Sequence, residues 1–277
     1  MKFTVVVPLY NKGYSIERCI NSVLAQCSHL DQVIIVNDGS TDNSLELVLA
    51  LYHDEITAGK IVVVDQENQG VSAARNRGVV ESLNEYVCLL DADDEWLPGF
   101  LQAMGRLIED FPGADLYSLA HLIKKPGCEL TKPKHGLADG FRGYVLDFFK
   151  SSAKGSVAKS SKICVRKEAL LSIGGFPVGV VAGEDLYVWI RMALNGKVAC
   201  DMKYLSVVYQ ELDSSRGARR VSVPYPLVYF SKNKPPKIVS LHRYLFSIFY
   251  KHFLSSLVNK KFKESLLRLY YYFRIYL

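Results

Sequence analysis

Tyr86-Val87-Cys88-Leu89-Leu90-Asp91-Ala92-Asp93-Asp94 is a short apolar run that ends in three carboxylates within four positions. A run of that length, bounded by polar residues, has the pattern of a buried strand. The acids at its end repel one another. At about 5 Å, with an effective dielectric near 20, a like-charge pair costs on the order of 3 kcal/mol. A cation placed there relieves the repulsion. All-oxygen ligands, with no His or Cys among residues 91–94, suit Mg²⁺ or Mn²⁺, with a diphosphate completing the shell. The competing reading is a helix cap, because Asp94-Glu95-Trp96-Leu97-Pro98 leads into a helical pattern and acids favour that end. The two uses divide the cluster: Asp94 as the cap, the other acids as metal candidates.

The pattern repeats upstream. Phe3-Thr4-Val5-Val6-Val7 reads as a buried strand stopped by Pro8. Ser15 opens a helix with Ile16, Ile20, Val23 and Leu24 on one face. Gln32 to Val36 is a second strand, ended by the turn Asn37-Asp38-Gly39-Ser40. Asn43 to Tyr52 is a helix, Lys60 to Val64 a third strand and Gly70 to Leu83 a helix with small residues on its first turns. Pro98 to Asp110 is a helix after the fourth strand. Residues 1–110 therefore alternate strand and helix, which predicts a Rossmann-like, mainly parallel sheet with helices on both faces. Ligands bind beyond the carboxyl ends of such strands. The polar motifs Pro8-Leu9-Tyr10-Asn11, Asn37 to Ser40 and Asp91 to Asp94 all fall there.

Downstream the pattern is less regular. Residues 111–235 carry a strand over Leu116 to Ile123, a loop over Lys124 to Gly140, a strand over Ser160 to Arg166 and a short helix ending at Gly174-Gly175. Glu184 to Asn195 is an amphipathic helix, and Lys197 to Gln210 holds one or two strands. Residues 236–277 change character: eight basic residues face one acid, Glu264, and aromatics are dense. That segment alone outweighs the net charge of the whole chain, +6 over 277 residues. It suits either an anionic membrane surface or amphipathic helices packed on the domain. Nucleic acid is not expected, because no RNA-binding signature accompanies it.

The six cysteines, at 19, 27, 88, 128, 164 and 200, form no Cys-x-x-Cys pair and point to a reducing, cytoplasmic compartment. No signal peptide and no run of about 18 apolar residues is expected to span a membrane. A dehydrogenase is disfavoured, since no Gly-x-Gly-x-x-Gly follows any strand. A sugar nucleotidyltransferase is disfavoured by the lack of a glycine-rich basic loop after Val7.

Other candidates carry two readings each. Asp38 can accept from a base or ribose, or serve an Asx-turn with Gly39-Ser40; its neighbour on the first strand end favours the ligand role. Arg75 and Arg77 lie two apart and cannot share a helix face, so one at most meets a phosphate, and Arg75 is the choice. Glu184-Asp185 is either ordinary helix-start chemistry or a general base, evenly balanced. Arg216, Arg219 and Arg220 fit equally a mobile loop over phosphates or a solvated one.

Five motifs together resemble the family 2 glycosyltransferases: Val5 to Lys12, Val36 to Asp42, Asn68 to Asn76, Leu90 to Asp94 and Gly183-Glu184-Asp185, in that family's order and spacing over roughly residues 3–210. The resemblance implies a GT-A fold, to which residues 236–277, by their composition, are expected to add a C-terminal helical extension. It also implies an inverting transfer of a hexose or N-acetylhexosamine from a UDP-sugar to a glycan hydroxyl. Pro8, Tyr10, Asn11, Asp38, Gly70 and Arg75 would line the nucleotide side. Asp91 and Ala92 would approach the ribose, and Asp93 would hold Mn²⁺ or Mg²⁺ on the diphosphate. Asp185 would be the catalytic base, with Glu184 beside it. Relatives often carry a His or polar motif near residues 209–217, which this chain lacks, so no third metal ligand is assigned. The resemblance, joined to the basic tail, implies a lipid-linked acceptor at the inner face of the cell membrane, as in bacterial O-antigen and capsule assembly. The expected division is a nucleotide-sugar half (1–110), an acceptor half (111–235) and the C-terminal segment (236–277). The alternative is a non-catalytic nucleotide-sugar-binding protein or another nucleotide-sugar enzyme of the same fold.

Overall fold

The computed structural model describes residues 1–27, 31–210, 223–258 and 261–277. The chain begins β1 (Phe3–Leu9), α1 (Ile16–Leu24), β2 (Gln32–Asp38), α2 (Ser44–Leu51), α3 (His53–Thr57), β3 (Ile61–Gln66), α4 (Val71–Glu81) and β4 (Tyr86–Leu89). These four strands are parallel, in the order β3-β2-β1-β4. Every residue of β1 is buried. Its alternate side chains enter two different cores: Val5, Val7 and Leu9 pack with α1 and with Phe100, Met104 and Leu107, and Val6 packs with α4 and the later helices. Burial on both faces explains the continuous β-branched run. Each such side chain contributes roughly 1.5–3 kcal/mol.

β1 continues through Pro8 to Leu9, two residues past the expected stop. Val6 accepts from Leu90 N on the β4 side, so the backbone of Pro8 faces the same side, beyond the last β4 pair at Val6–Leu89. The missing N–H of proline falls where the ladder has ended. The small residues of α4 have the expected effect. A Cβ on Gly78 would sit 2.3 Å from Val6 Cγ1, so α4 lies directly on β1 and β2.

The second half adds β5 (Glu95–Trp96), α5 (Phe100–Asp110), β6 (Leu116–Lys124), β7 (Arg142–Tyr144), α6 (Phe148–Lys154), a 3-10 turn (Ser160–Lys162), β8 (Ile163–Arg166), α7 (Lys167–Ser172), α8 (Glu184–Asn195) and β9 (Val198–Tyr209). The sheet runs on as β4-β8-β6-β9-β5, with β7 also on β9. The β4–β8, β6–β8, β5–β9 and β7–β9 pairs are antiparallel and β6–β9 is parallel. Lys197 to Gln210 is thus one long strand, while β5, β7 and α6 had no readable sequence pattern.

The chain closes with α9 (Tyr225–Lys232), α10 (Val239–Val258) and α11 (Phe262–Tyr276). Leu227, Phe230, Leu241, Leu245, Ile248 and Ile275 join the same core as Val6 and α8. The other faces of α10 and α11 stay open, with Phe246, Tyr250, Leu266, Tyr270 and Phe273 each about half exposed or more. Among the described residues no helix is long and apolar enough to cross a membrane.

Candidate active site

A cleft of about 810 Å³ opens beyond the carboxyl ends of β1, β2 and β4. That volume lies in the range of small-molecule sites. Pro8, Tyr10, Asn11, Asp38, Gly70, Arg75, Asp91, Ala92 and Asp93 all line it. Nine positions singled out at or just after the ends of β1, β2 and β4 and at the start of α4 therefore meet in one place.

The loops are tied to one another before any ligand arrives. Asn11 adopts φ 51°, and its side chain accepts from Thr41 N at 2.7 Å and donates to Thr41 Oγ1 at 3.1 Å, joining the β1 and β2 ends. Asp38 accepts from Gln66 Nε2, Gln69 N and Gly70 N at 2.8–2.9 Å. It thus organises the loop opening α4, and not the Asx-turn with Gly39-Ser40 that was the alternative to its expected ligand role. Ser15, at the start of α1, donates to Ala92 O at 3.0 Å, and Arg18 donates to Asp93 O at 2.8 Å. The Arg18 guanidinium also lies over the Tyr209 ring at 3.7 Å.

The three carboxylates play different parts. Asp93 faces Lys12 at 3.1 Å and is a fifth exposed. Asp91 faces Arg75 at 2.7 Å. Arg75 is buried and also reaches Glu184 at 3.5 Å. Burial lowers the hold of Arg75 on its proton, but the charges of Asp91, Glu184 and Asp185 outweigh that and raise it. Arg77 instead pairs with Glu81 in solvent at 2.9 Å. Asp94 is not the helix cap: α5 starts at Phe100 with Gly99 before it. Asp94 is buried and accepts from Tyr209 N at 2.9 Å and from Ser161 Oγ, tying β4 to β9 and to the turn before β8. Burial and the nearby Asp91 push its carboxyl up to about 7. Its geometry lets a local sequence motif serve a long-range contact, which propensity alone does not reveal.

Asp93 and Asp91 supply hard oxygen donors at the cleft. Among the described residues no group of three or more His, Cys, Asp and Glu converges on one cation position. The donor set therefore fits a cation that shares its shell with a diphosphate and water, and not one caged by protein alone.

Glu184 and Asp185 open α8, and neither lines the cleft. Glu184 connects to it through Arg75. Asp185 is half-buried and its Oδ1 accepts from Leu186 N at 2.7 Å. Arg216, Arg219 and Arg220 lie outside the described residues, as does most of the 209–217 stretch. Sequence reading gave no role to Lys12, Arg18, Lys159, Gln210, Lys251 or His252. Lys12 lay inside a quoted motif, and Lys251 and His252 inside the basic segment. Arg18 and Lys159 carry no local signal.

Comparison with known proteins gives the family and the fold. The family model described as glycosyl transferase family 2 matches residues 4–153, just over half of the chain. A glycosyltransferase of Nostoc sp. is 40% identical over 121 residues, covering 44% of this chain and 36% of that protein. Glycosyltransferase AglE of Haloferax volcanii is 26% identical over 204 residues, covering 69% of this chain and 61% of its own length. The chain thus spans less than two thirds of either relative. S. aureus TarS in complex with UDP-GlcNAc superposes with a TM-score of 0.66 at 19% identity, over 97% of this chain and 72% of that one. A Pyrobaculum calidifontis mannosyltransferase in complex with GDP-Man and Mn²⁺ superposes at 0.64 and 18% identity, over 92% and 75%. The fold is the GT-A arrangement of these neighbours, and with the family model covering β1 to α6 the chain belongs to glycosyl transferase family 2.

Proposed function

We propose that the cleft binds a nucleotide-sugar, in the first place a UDP-sugar, and that the chain transfers its hexose or N-acetylhexosamine to a glycan hydroxyl with inversion. The observation that carries this is the convergence of Asp91 and Asp93 with Lys12 and Arg75 at the ends of β1 and β4. Tyr10 and Asp38 offer an aromatic face and a fixed carboxylate on the nucleoside side. TarS was solved with UDP-GlcNAc and the mannosyltransferase with GDP-Man and Mn²⁺, which supports a nucleotide-sugar and a divalent cation here. Asp93, with Asp91 beside it, would hold Mn²⁺ or Mg²⁺. When bound, the cation would offset the charge that grows on the departing diphosphate.

In the reaction, the acceptor oxygen bonds to the anomeric carbon as the bond from that carbon to the diphosphate oxygen breaks. The acceptor's proton would pass to Asp185, which opens α8 outside the cleft lining and beside Glu184, the partner of Arg75, so the acceptor hydroxyl would come in from the α8 side. The Leu186 N–H holds Oδ1 and leaves Oδ2 to receive the proton. General-base help of this kind is worth roughly 10²–10⁴-fold. Asp185→Asn should abolish transfer and leave UDP affinity near wild type; full turnover in the purified variant would refute the base assignment.

The exposed aromatics of α10 and α11, with basic residues around them, support a second element: peripheral binding to an anionic membrane and a lipid-linked acceptor there. Removing residues 236–277 is a poor test, because the truncation also takes Leu241, Leu245 and Ile248 out of the core. Replacing Phe246, Tyr250 and Phe273 with serine spares the core. Co-sedimentation with anionic vesicles should drop severalfold in that variant, and unchanged sedimentation would remove the membrane from the proposal.

A further inference from the structure

Helix α10 packs on the core from Leu241 to Phe249, and its far end reaches the cleft. Its buried positions Leu241, Tyr244, Leu245 and Ile248 follow the three- and four-residue spacing of one helix face. The same face continues at Lys251, His252 and Ser255, where the apolar pattern stops. Those three residues line the cleft together with Asp91 and Asp93. A face that was packing against protein becomes polar where it meets the cavity, as a ligand-facing wall does.

This end of α10 is held in place. Arg268 of α11 is fully buried and donates to His252 O at 2.9 Å. Ser256 and Ser265 share a hydrogen bond of 2.6 Å across the two helices. α10 contains no acidic residue, and among the described residues no ion pair is formed by Lys251. The charged residues that line the cleft with it are Lys12, Asp38, Arg75, Asp91, Asp93, Asp94 and Lys159. Lys12 is engaged with Asp93 at 3.1 Å. Burial, with Arg268 and Lys251, holds His252 down to about 4, so near neutrality it offers a neutral imidazole beside the lysine.

We infer that the far end of α10 is a wall of the active cleft, with Lys251 as a phosphate-binding residue for a substrate. This rests on the nucleotide-sugar reading of the cleft. The phosphate belongs either to the donor's diphosphate or to a lipid phosphate on the acceptor, and the lysine ammonium suits both. In either case the hairpin is part of the substrate site as well as an exposed surface.

The test uses the full chain and two probes: UDP with Mn²⁺, and farnesyl phosphate compared with farnesol in detergent. Lys251→Gln should weaken one of the two phosphate ligands about tenfold, equivalent to about 1.4 kcal/mol. A loss confined to UDP assigns the donor, and a loss confined to farnesyl phosphate assigns the acceptor. Lys251→Arg should restore most of the affinity. Lys263→Gln, an exposed charge on α11 away from the cleft, should change neither. Wild-type affinity of Lys251→Gln for both probes overturns the inference. Asp93→Ala, measured alongside, separates the two levels: if it keeps metal-dependent UDP affinity, the reading of the cleft itself fails, whatever Lys251 does.

Discussion

Replacing Arg75 with methionine removes the cation that joins Asp91 at the cleft to Glu184 at the start of α8. The guanidinium is 5% exposed, Glu184 10% and Asp91 28%. Deleting one partner of a buried pair costs about 3–5 kcal/mol, because the attraction that offset the desolvation of the other charge is lost. Asp91 keeps more than a quarter of its side chain in water, so the lower figure applies, about 3 kcal/mol near pH 7. Methionine fills much of the volume and keeps a contact with Phe176, over which the guanidinium lies at 5.2 Å. Urea unfolding should show a lower midpoint with an unchanged slope. The loss is electrostatic, so it depends on pH. Without Arg75 the two acids hold protons more tightly in the folded state. The penalty is therefore full at pH 7 and shrinks as pH falls toward about 5. Adding Glu184→Gln should recover at least about 1 kcal/mol. The reasoning fails if Arg75→Met costs under about 1 kcal/mol, or if the double variant is additive within about 0.5 kcal/mol.

Three further outcomes follow from packing and charge. Gly78→Ala places a Cβ 2.3 Å from Val6 Cγ1 and should cost about 1–3 kcal/mol, read by chemical denaturation; a neutral result would mean that α4 is free to move off the sheet. His121 is buried, and burial with Lys162 and Lys159 nearby holds its imidazole down to about 2. The unfolded chain takes up that proton below about pH 6.5 and the folded chain does not, so stability falls on acidification, by about 1.4 kcal/mol between pH 7 and about 5.5. His121→Gln should remove that component of the pH slope, and an unchanged slope would contradict it. Truncation at Pro236 should give a chain without cooperative unfolding in calorimetry, because each buried side chain lost from α10 and α11 forfeits roughly 1.5–3 kcal/mol; a cooperative transition at the wild-type temperature would show that the hairpin is dispensable.

The parallel half was legible because its strands are buried on both faces. Val5-Val6-Val7 and Val33 to Val36 must then be apolar throughout, and the polar motifs stand out at their ends. The mixed half was harder. β5 has two residues and β7 three, and both owe their conformation to pairing with β9, whose partner residues lie 110–112 positions from β5 and 55–59 from β7. Asp94 resembled a helix cap because its neighbours in sequence allow one, while its partners, Ser161 and Tyr209, come from distant strands. Lys251 and His252 were visible as part of a basic, aromatic segment. Their place on the cleft depends on where α10 leaves the core, which no local pattern records.

In the function proposed above, Asp93 and its neighbours form a metal-assisted site for a nucleoside diphosphate. Calorimetric titration of the wild-type chain with UDP, with and without Mn²⁺, beside the Asp93→Ala variant, probes that site at its cation. Mn²⁺ should tighten UDP binding to the wild type at least about tenfold, equivalent to about 1.4 kcal/mol, and Asp93→Ala should lose this gain. Equal UDP affinity with and without Mn²⁺ in the wild type, or an undiminished gain in the variant, would contradict it.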